Sequence, residues 1–393
     1  MLTNGEFARH HSLDAFRAAM MLLGLVLHSA ASYTYTPLRE AWPFHDPPGL
    51  VAFEILLLFI HVFRMPAFFV VAGFFAALLY YRDGARGLIR NRAKRVALPL
   101  LIFMLTALPL AGAGFLVASR LEGQPLPPEV WPQGPLLHQQ IFGHLWFLYD
   151  LLVFYAASLV VVRAVAMLPA RARASASAAF HRYAVTAMGA LVLGLLTTVT
   201  LMPMAGPGLE TSASLLPPLR ILVAYGVFFA FGWSLFRHRD DLIPSFGRIW
   251  GRFLAAGLVL FVGYFMIMLA KPRLSPLAWH FTAIGFAGPA TWFLIFGLLG
   301  LFVRRLSSPR PVVRYLSDAS YWMYLTHLTA ITWTAAALAR STAPAVVKFT
   351  IVLSVTTAVT LVTYHWWVRF TWLGVLLNGR RYERASEQVT APG

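Results

Sequence analysis

Apolar residues in this chain come in long blocks, most of them closed by a cluster of arginines or a proline-rich turn. Ten such blocks recur, near 13–33, 50–80, 96–118, 145–168, 184–203, 218–236, 253–270, 281–303, 318–338 and 345–368. A helix needs roughly 20 apolar residues to cross a hydrocarbon layer of about 30 Å. The pattern therefore predicts an all-α, polytopic membrane protein with about ten transmembrane helices. The second block is too long for one perpendicular span, so it is expected to tilt, kink near Pro66 or project from the bilayer.

Charge sets the expected orientation. Of 32 Lys and Arg residues, 24 fall in six segments: the N-terminal end through Arg17, then Arg82–Arg95, Arg163–Arg182, Arg237–Arg252, Arg304–Arg314 and Arg369–Arg384. In a ten-span chain these segments share one side, and the positive-inside bias makes that side, with both termini, cytoplasmic. The formal net charge of +17 then reflects topology and attraction to the anionic lipid bilayer, and no nucleic-acid partner is expected. With 59% hydrophobic and 12% charged residues, an ordinary soluble fold is excluded. The chain reads as a cytoplasmic N-terminal segment (1–12), a transmembrane domain (13–370) and a cytoplasmic C-terminal tail (371–393). The Ala/Arg/Ser stretch from Arg171 to Ala179 reads as a cytoplasmic loop. Ala30-Ala31-Ser32 faintly resembles a signal-peptide cleavage site, but the apolar run before it is long and holds Arg17, so an uncut first helix is expected. The absence of cysteine excludes disulfides and thiolate chemistry. No histidine falls in an HExxH or comparable spacing, and no catalytic metal is expected.

The polar exceptions inside the blocks carry the candidate chemistry. Arg17 and His28 lie eleven residues apart in the first block, which places them on one side of a helix with a rise of about 16 Å between them. Asp14 extends the same stripe. Ionisable groups at such depth face a bundle interior or a watery cavity and mark function; the alternative is a structural ion pair with a neutral, hydrogen-bonded histidine. In the second block Glu54, His61 and Arg64 fall on roughly one side. Glu54 could neutralise Arg64, or Arg64 could bind a substrate carboxylate with Glu54 positioning it.

Arg92 and Arg95, at i,i+3 spacing, read either as lipid-facing topology charges or as a grip on a phosphate-rich ligand. His144 and Trp146 open the fourth block, as interface residues or as an acceptor site whose indole offers a flat face to a sugar ring. The proline-rich loop before them, Ser119 to His138 with Trp131, is expected to form an ordered cap. Asp150 has no obvious sequence partner. In the ninth block Ser320, Tyr324 and His327 share a face, and core packing and a site role for His327 both stand open.

Taken in order, these segments resemble the acyltransferase 3 family of integral-membrane acyltransferases. The strings are LDAFRAAMMLLGLVLH, FIHVFRMPAFFVVAGFF, RAKRVALPL, HLWFL and SDASYWMYLTHL, and the likeness extends from Leu13 to about Arg369. Arg17-x10-His28 is similar to the family's first-helix arginine–histidine motif, and Arg92-x-x-Arg95 to its basic motif after the second helix. The resemblance implies ten helices in the bacterial inner membrane. It also implies transfer of an acyl group, succinyl or acetyl, from a cytosolic acyl-CoA to a hydroxyl of an extracytoplasmic or cell-surface carbohydrate. In the branch this chain is most like, the implied reaction is succinylation of osmoregulated periplasmic glucans. His28 is implied to be catalytic and Arg17 essential nearby. Succinyl-CoA or acetyl-CoA would be a substrate, with no cofactor bound permanently. Ala72 stands where the family often has a serine, so no serine nucleophile is expected there, and Thr329 stands where this branch tends to have proline.

Elementary chemistry fits that implication. A histidine suits removal of a hydroxyl proton, and it could equally carry the acyl group covalently. An acyl-CoA has a phosphate-rich head for Arg92 and Arg95 and a thin arm able to reach His28 along the Arg17 stripe. The competing class is a proton-coupled secondary transporter using the same intramembrane His, Arg and Glu groups. Repeated halves with matching broken helices, which such proteins show, are not evident.

Overall fold

The computed structural model describes residues 11–126, 135–379 and Tyr382. Regular structure among these is helical, apart from one isolated bridge between Thr34 and Leu50. The helices are α1 (His11–Ala31), α2 (Val51–Arg92), α3 (Leu98–Leu105), α4 (Ala107–Leu121), α5 (Trp146–Met167), α6 (Ala170–Tyr183) and α7 (Ala187–Leu201). They continue with α8 (Leu219–Arg237), α9 (Arg239–Leu269), α10 (Pro276–Arg305), α11 (Pro311–Leu338), α12 (Ala345–Thr363) and α13 (Trp372–Asn378). Trp131 and most of the C-terminal tail lie outside the described residues. So do the first ten residues.

Every predicted block coincides with a helix, and the chain is a multi-pass membrane protein. Seven helical stretches among the described residues are long and apolar enough to cross a membrane, or eight if α6 and α7, bent by 112°, form one span. The difference from ten has two causes. The 71-residue stretch Val51–Leu121 contains two blocks, because α2 runs through a π-helical turn (Ala93–Ala97) directly into α3 and α4. Helix α11 is long but buries Ser317, Asp318, Ser320, His327 and Thr332, and these polar groups take it out of the apolar class. The segment read as a loop at Arg171–Ala179 is helical, within α6, which buries none of its residues.

Helix α2 has 42 residues, about 63 Å of helix and twice the ~30 Å hydrocarbon layer. Its break lies at Gly84, not at Pro66. There φ is 70° and ψ −177°, a region that only glycine occupies freely. Pro66 is accommodated because the Thr291 hydroxyl of α10, sharing its proton with the Ala287 carbonyl at 2.8 Å, reaches the Val62 carbonyl at 3.1 Å. That carbonyl is the i−4 acceptor which a proline, lacking N–H, leaves open, and a neighbouring helix fills the vacancy. Further along, α2 packs closely on α8. A Cβ on Gly73 would collide with the Phe229 carbonyl, and one on Gly232 with the Val70 carbonyl. Such small-residue crossings let backbones approach where lipid offers no hydrophobic drive.

Helix α1 is the hub, packing against α2, α10, α11 and α12, while α11 also packs on α4. Residues 32–50 fold over the C-terminal end of α1 as a cap. Trp42 Nε1 donates to Ser32 Oγ at 2.7 Å, the Asp46 amide to the Ser32 carbonyl at 2.8 Å and the Leu50 amide to the Tyr33 carbonyl at 2.9 Å. Lys348 of α12 clamps this cap, with Nζ 2.9 Å from both Asp46 carboxylate oxygens and both side chains buried.

A buried ion pair is costly to break from one side, because the surviving charge stays desolvated. Lys348→Met is expected to destabilise the detergent-solubilised protein by about 3–5 kcal/mol. The double variant Asp46→Leu/Lys348→Met should recover most of that loss. Thermal unfolding of both variants is the check; a double variant as unstable as the single one would show that other contacts hold the cap.

Candidate functional site

The C-terminal half of α1 and the middle of α11 bring His28 and His327 together, with Nδ1 of His28 2.7 Å from Nε2 of His327. His327 is 1% exposed. Its Nδ1 lies 2.6 Å from the Tyr324 carbonyl oxygen. A carbonyl oxygen only accepts, so Nδ1 of His327 carries a proton, and in the neutral ring Nε2 is then the acceptor. It follows that Nδ1 of His28 is the donor, and that His28 presents a bare Nε2. The pair thus defines a direction: proton-bearing nitrogens point toward Tyr324, and one lone pair is left at the His28 end.

Two further groups frame the pair. Trp42, from the cap, lies nearly parallel to His28 with ring centroids 5.6 Å apart and 15° between planes. His144 stands edge-on to His327 at 5.3 Å, and the Tyr324 hydroxyl donates to the His144 carbonyl at 2.8 Å. Both ring nitrogens of His144 are buried without a hydrogen-bond partner, which marks a place for a polar ligand group or water. Among the described residues no group of three or more His, Asp or Glu side chains is placed to hold a metal ion.

Arg64 of α2 reaches into the same region. Its charge is felt by His28, His327 and Tyr324, and its guanidinium occupies the space where a Cβ on Gly24 of α1 would stand. One Nη2–H contacts Met65 Sδ at 3.2 Å, and Nε is buried with no partner. Glu54 does not position it. The Glu54 carboxylate accepts the Thr36 amide at 2.6 Å, in the cap, and a separation of ten positions puts the two groups about 15 Å apart along the helix. The expected Glu54–Arg64 pair is therefore absent, and Arg64 is a half-buried cation with no carboxylate partner among the described residues. His61 is turned to another neighbour, its Nε2–H donating to the Leu209 carbonyl at 3.0 Å. Trp146 is half-buried beside Tyr225 and Phe69, with centroids 5.8 and 6.5 Å away.

At the other end of α1, Arg17, Arg92 and Arg95 line one cavity of about 320 Å³. Asp14 lines it too and pairs with Arg17 at 3.3 Å. Arg17 lies over the Phe75 ring at 5.5 Å and Arg92 over Tyr155 at 4.6 Å. Nε of Arg92 is buried without a partner. Tyr321 fixes the backbone there by donating to the Arg95 carbonyl at 2.8 Å. Met21, Phe68, Phe147 and Leu148 give the lining an apolar part beside Tyr155 and Tyr321, and Phe147 stands edge-on to Tyr324 with centroids 6.4 Å apart. Ala72 is part of the same lining. Arg17 thus belongs to the arginine cavity, whereas His28 belongs to the histidine cluster.

Sequence reasoning missed Trp42, the Asp46–Lys348 clamp and the backbone carbonyl of Tyr324. None of these carries a periodic signal, and His327 lies 299 residues from His28. The burial of Asp150, 0% exposed with both carboxylate oxygens unpartnered, was foreshadowed only by its isolation in an apolar block.

Comparison with known proteins bears on the family. The model of the acyltransferase 3 family, described as an acyltransferase domain, matches residues 10–365. Glucans biosynthesis protein C of Escherichia coli strain SMS-3-5 / SECEC is 33% identical over 152 residues, 37% of each chain. The protein of the same name from strain K12 is 32% identical over 152 residues, again 37% of each chain. The matched stretch thus spans little more than a third of the length of these curated relatives. No solved structure matches the chain. Since the family model covers nearly the whole of it, the chain belongs to the acyltransferase 3 family.

Proposed function

We propose that this protein is a membrane O-acyltransferase that moves a succinyl or acetyl group from a cytosolic acyl-CoA to a hydroxyl of an extracytoplasmic carbohydrate, most closely a periplasmic glucan. Family membership and the name of the matched relatives support that reading. The proposed setting is the bacterial inner membrane, with ten spans and both termini in the cytoplasm, which the distribution of basic residues favours. The observation that carries the chemistry is the Tyr324–His327–His28 chain with its bare Nε2.

In this reading Nε2 of His28 takes the proton of the acceptor hydroxyl as its oxygen attacks the thioester carbonyl. The carbon–sulfur bond then breaks, and the leaving thiolate recovers the proton from His28, releasing CoA. Throughout, His28 Nδ1–H stays donated to His327, which holds the ring in the productive tautomer, as the third member of a catalytic triad does. His144, Trp42 and Trp146 line the acceptor's approach. The three arginines of the cavity hold the phosphates of the donor, with Asp14 orienting Arg17. The second reading, a proton-coupled transporter, is disfavoured because repeated halves with matching broken helices, which such proteins show, are not evident in the sequence.

His28→Ala should lower turnover by about 10²–10⁴-fold, the range for loss of a general base, with membrane insertion and thermal stability retained. His327→Ala should lower kcat by about 10²-fold with little change in donor KM. Steady-state kinetics in detergent or nanodiscs test both, and wild-type turnover by a folded His28→Ala protein would remove His28 from the mechanism.

Arg92→Gln/Arg95→Gln should raise the donor KM more than it lowers kcat, because phosphate grip is mostly uniform binding. An unchanged donor KM would leave these arginines to lipid and topology.

Arg64, a cation without a carboxylate partner, is suited to the terminal carboxylate of a succinyl donor, a group that acetyl lacks. Arg64→Gln should therefore damage succinyl transfer at least about tenfold more than acetyl transfer, as expected for loss of a buried charge-assisted hydrogen bond. The ratio of catalytic efficiencies for the two donors decides it, and equal losses would assign Arg64 to structure or to the shared thioester chemistry.

A further inference from the structure

A second cavity, of about 240 Å³, adjoins the first and includes His11, Asp14, Ser308, Arg310, Arg314 and Ser317 in its lining. Asp14 and Ser317 belong to both cavities, and Ser317 Oγ donates to the Asp14 carbonyl at 3.4 Å. The two spaces therefore share a wall. Arg310 and Arg314 stand one turn apart at the start of α11, on one face. Both are exposed, and neither takes part in an ion pair among the described residues. Two arginine clusters thus flank a polar divider: Arg17, Arg92 and Arg95 on one side, Arg310 and Arg314 on the other.

That layout fits a ligand with two separate phosphate groups joined by a hydroxyl-bearing sugar. Coenzyme A has this form, with a diphosphate at the ribose 5′ position and a monoester phosphate at the 3′ position. Direction along α1 assigns the ends. Arg17 is six residues beyond His11, about 9 Å closer to His28, so the acyl arm runs inward from the first cavity and the nucleotide end faces outward. We propose that the second cavity is the subsite for the 3′-phosphate of the donor, gripped by Arg310 and Arg314. The diphosphate occupies the arginine cavity, and the ribose lies against Asp14 and Ser317. This rests on the reading of the protein as acyl-CoA dependent.

The test compares acyl-CoA with the same acyl-CoA lacking its 3′-phosphate, using wild type and Arg310→Gln/Arg314→Gln in nanodiscs. Wild type should prefer the 3′-phosphorylated donor by about tenfold or more, the scale of one or two charge-assisted hydrogen bonds. The variant should lose that preference through a higher KM for acyl-CoA, with its KM for the dephosphorylated donor unchanged. No wild-type preference, or equal losses on both donors, overturns the subsite while leaving the transferase reading intact. If wild type turns over neither donor, it is the transferase reading that fails. The subsite is then decided by titrating adenosine 3′,5′-bisphosphate against adenosine 5′-monophosphate. Tighter binding of the bisphosphate that disappears in the variant upholds it, and equal binding by wild type overturns it.

Discussion

One hydrogen bond, from Nδ1 of His327 to the Tyr324 carbonyl, fixes the protons of the His28–His327 pair. The acceptor is backbone, three residues earlier on the same helix, so it cannot rotate or titrate away. With Nδ1 committed, Nε2 of the neutral ring must accept, and Nδ1 of His28 lies 2.7 Å from it. The free lone pair is thereby assigned to Nε2 of His28. A helix with a polar buried face is required for this, and α11 supplies it. The same polarity that takes α11 out of the apolar class makes it the helix that holds the site.

Helix α1 separates the phosphate-gripping and proton-moving ends of the proposed reaction by about three turns, or about 16 Å. Between them Gly24 has no side chain, and the Arg64 guanidinium fills that space. Arg64 is the energetic exception in the bundle. A buried cation without a carboxylate is normally selected against, and here the tyrosines Tyr225 and Tyr324 are among the groups that feel its charge. Local rules are broken most often where function requires it. On the proposed reading, the missing counter-ion arrives with the substrate.

The helical blocks were legible because lipid imposes a length and an apolar composition on each element. At α11 the block at 318–338 is a helix, though its polar buried face makes other helices its partners. For the second block, length pointed to tilt, a kink near Pro66 or projection from the bilayer, and of these the kink is not at Pro66. The proline is silent because Thr291, more than two hundred residues away, satisfies the carbonyl it exposes, and the break falls at Gly84 instead. Arg17, Arg92 and Arg95 were recognisable as candidates from depth and spacing. Their shared cavity was not, since no local pattern relates the first helix to the turn after the second. The Glu54–Arg64 expectation failed on distance. A shared helix face does not bring side chains together across nearly three turns, and a cap amide was the closer partner for Glu54. Trp42 lies in a loop held by a lysine from α12, a contact with no trace in local sequence.

The wall between cavity and cluster bears on the proposed transfer. The cavity's lining includes Met21, Phe68, Phe147 and Leu148 beside Tyr155 and Tyr321, and Phe147 is in ring contact with Tyr324. The apolar part of that lining suits the mostly apolar arm of a thioester, which needs space and exclusion of water. Water exclusion also protects the thioester from hydrolysis, a side reaction that a closed site suppresses. The cap serves that purpose at the opposite end: Trp42 covers His28, and the buried Asp46–Lys348 pair holds the cap down. On the proposed reading, a hydroxyl acceptor enters beside Trp42, against the free lone pair of His28 Nε2.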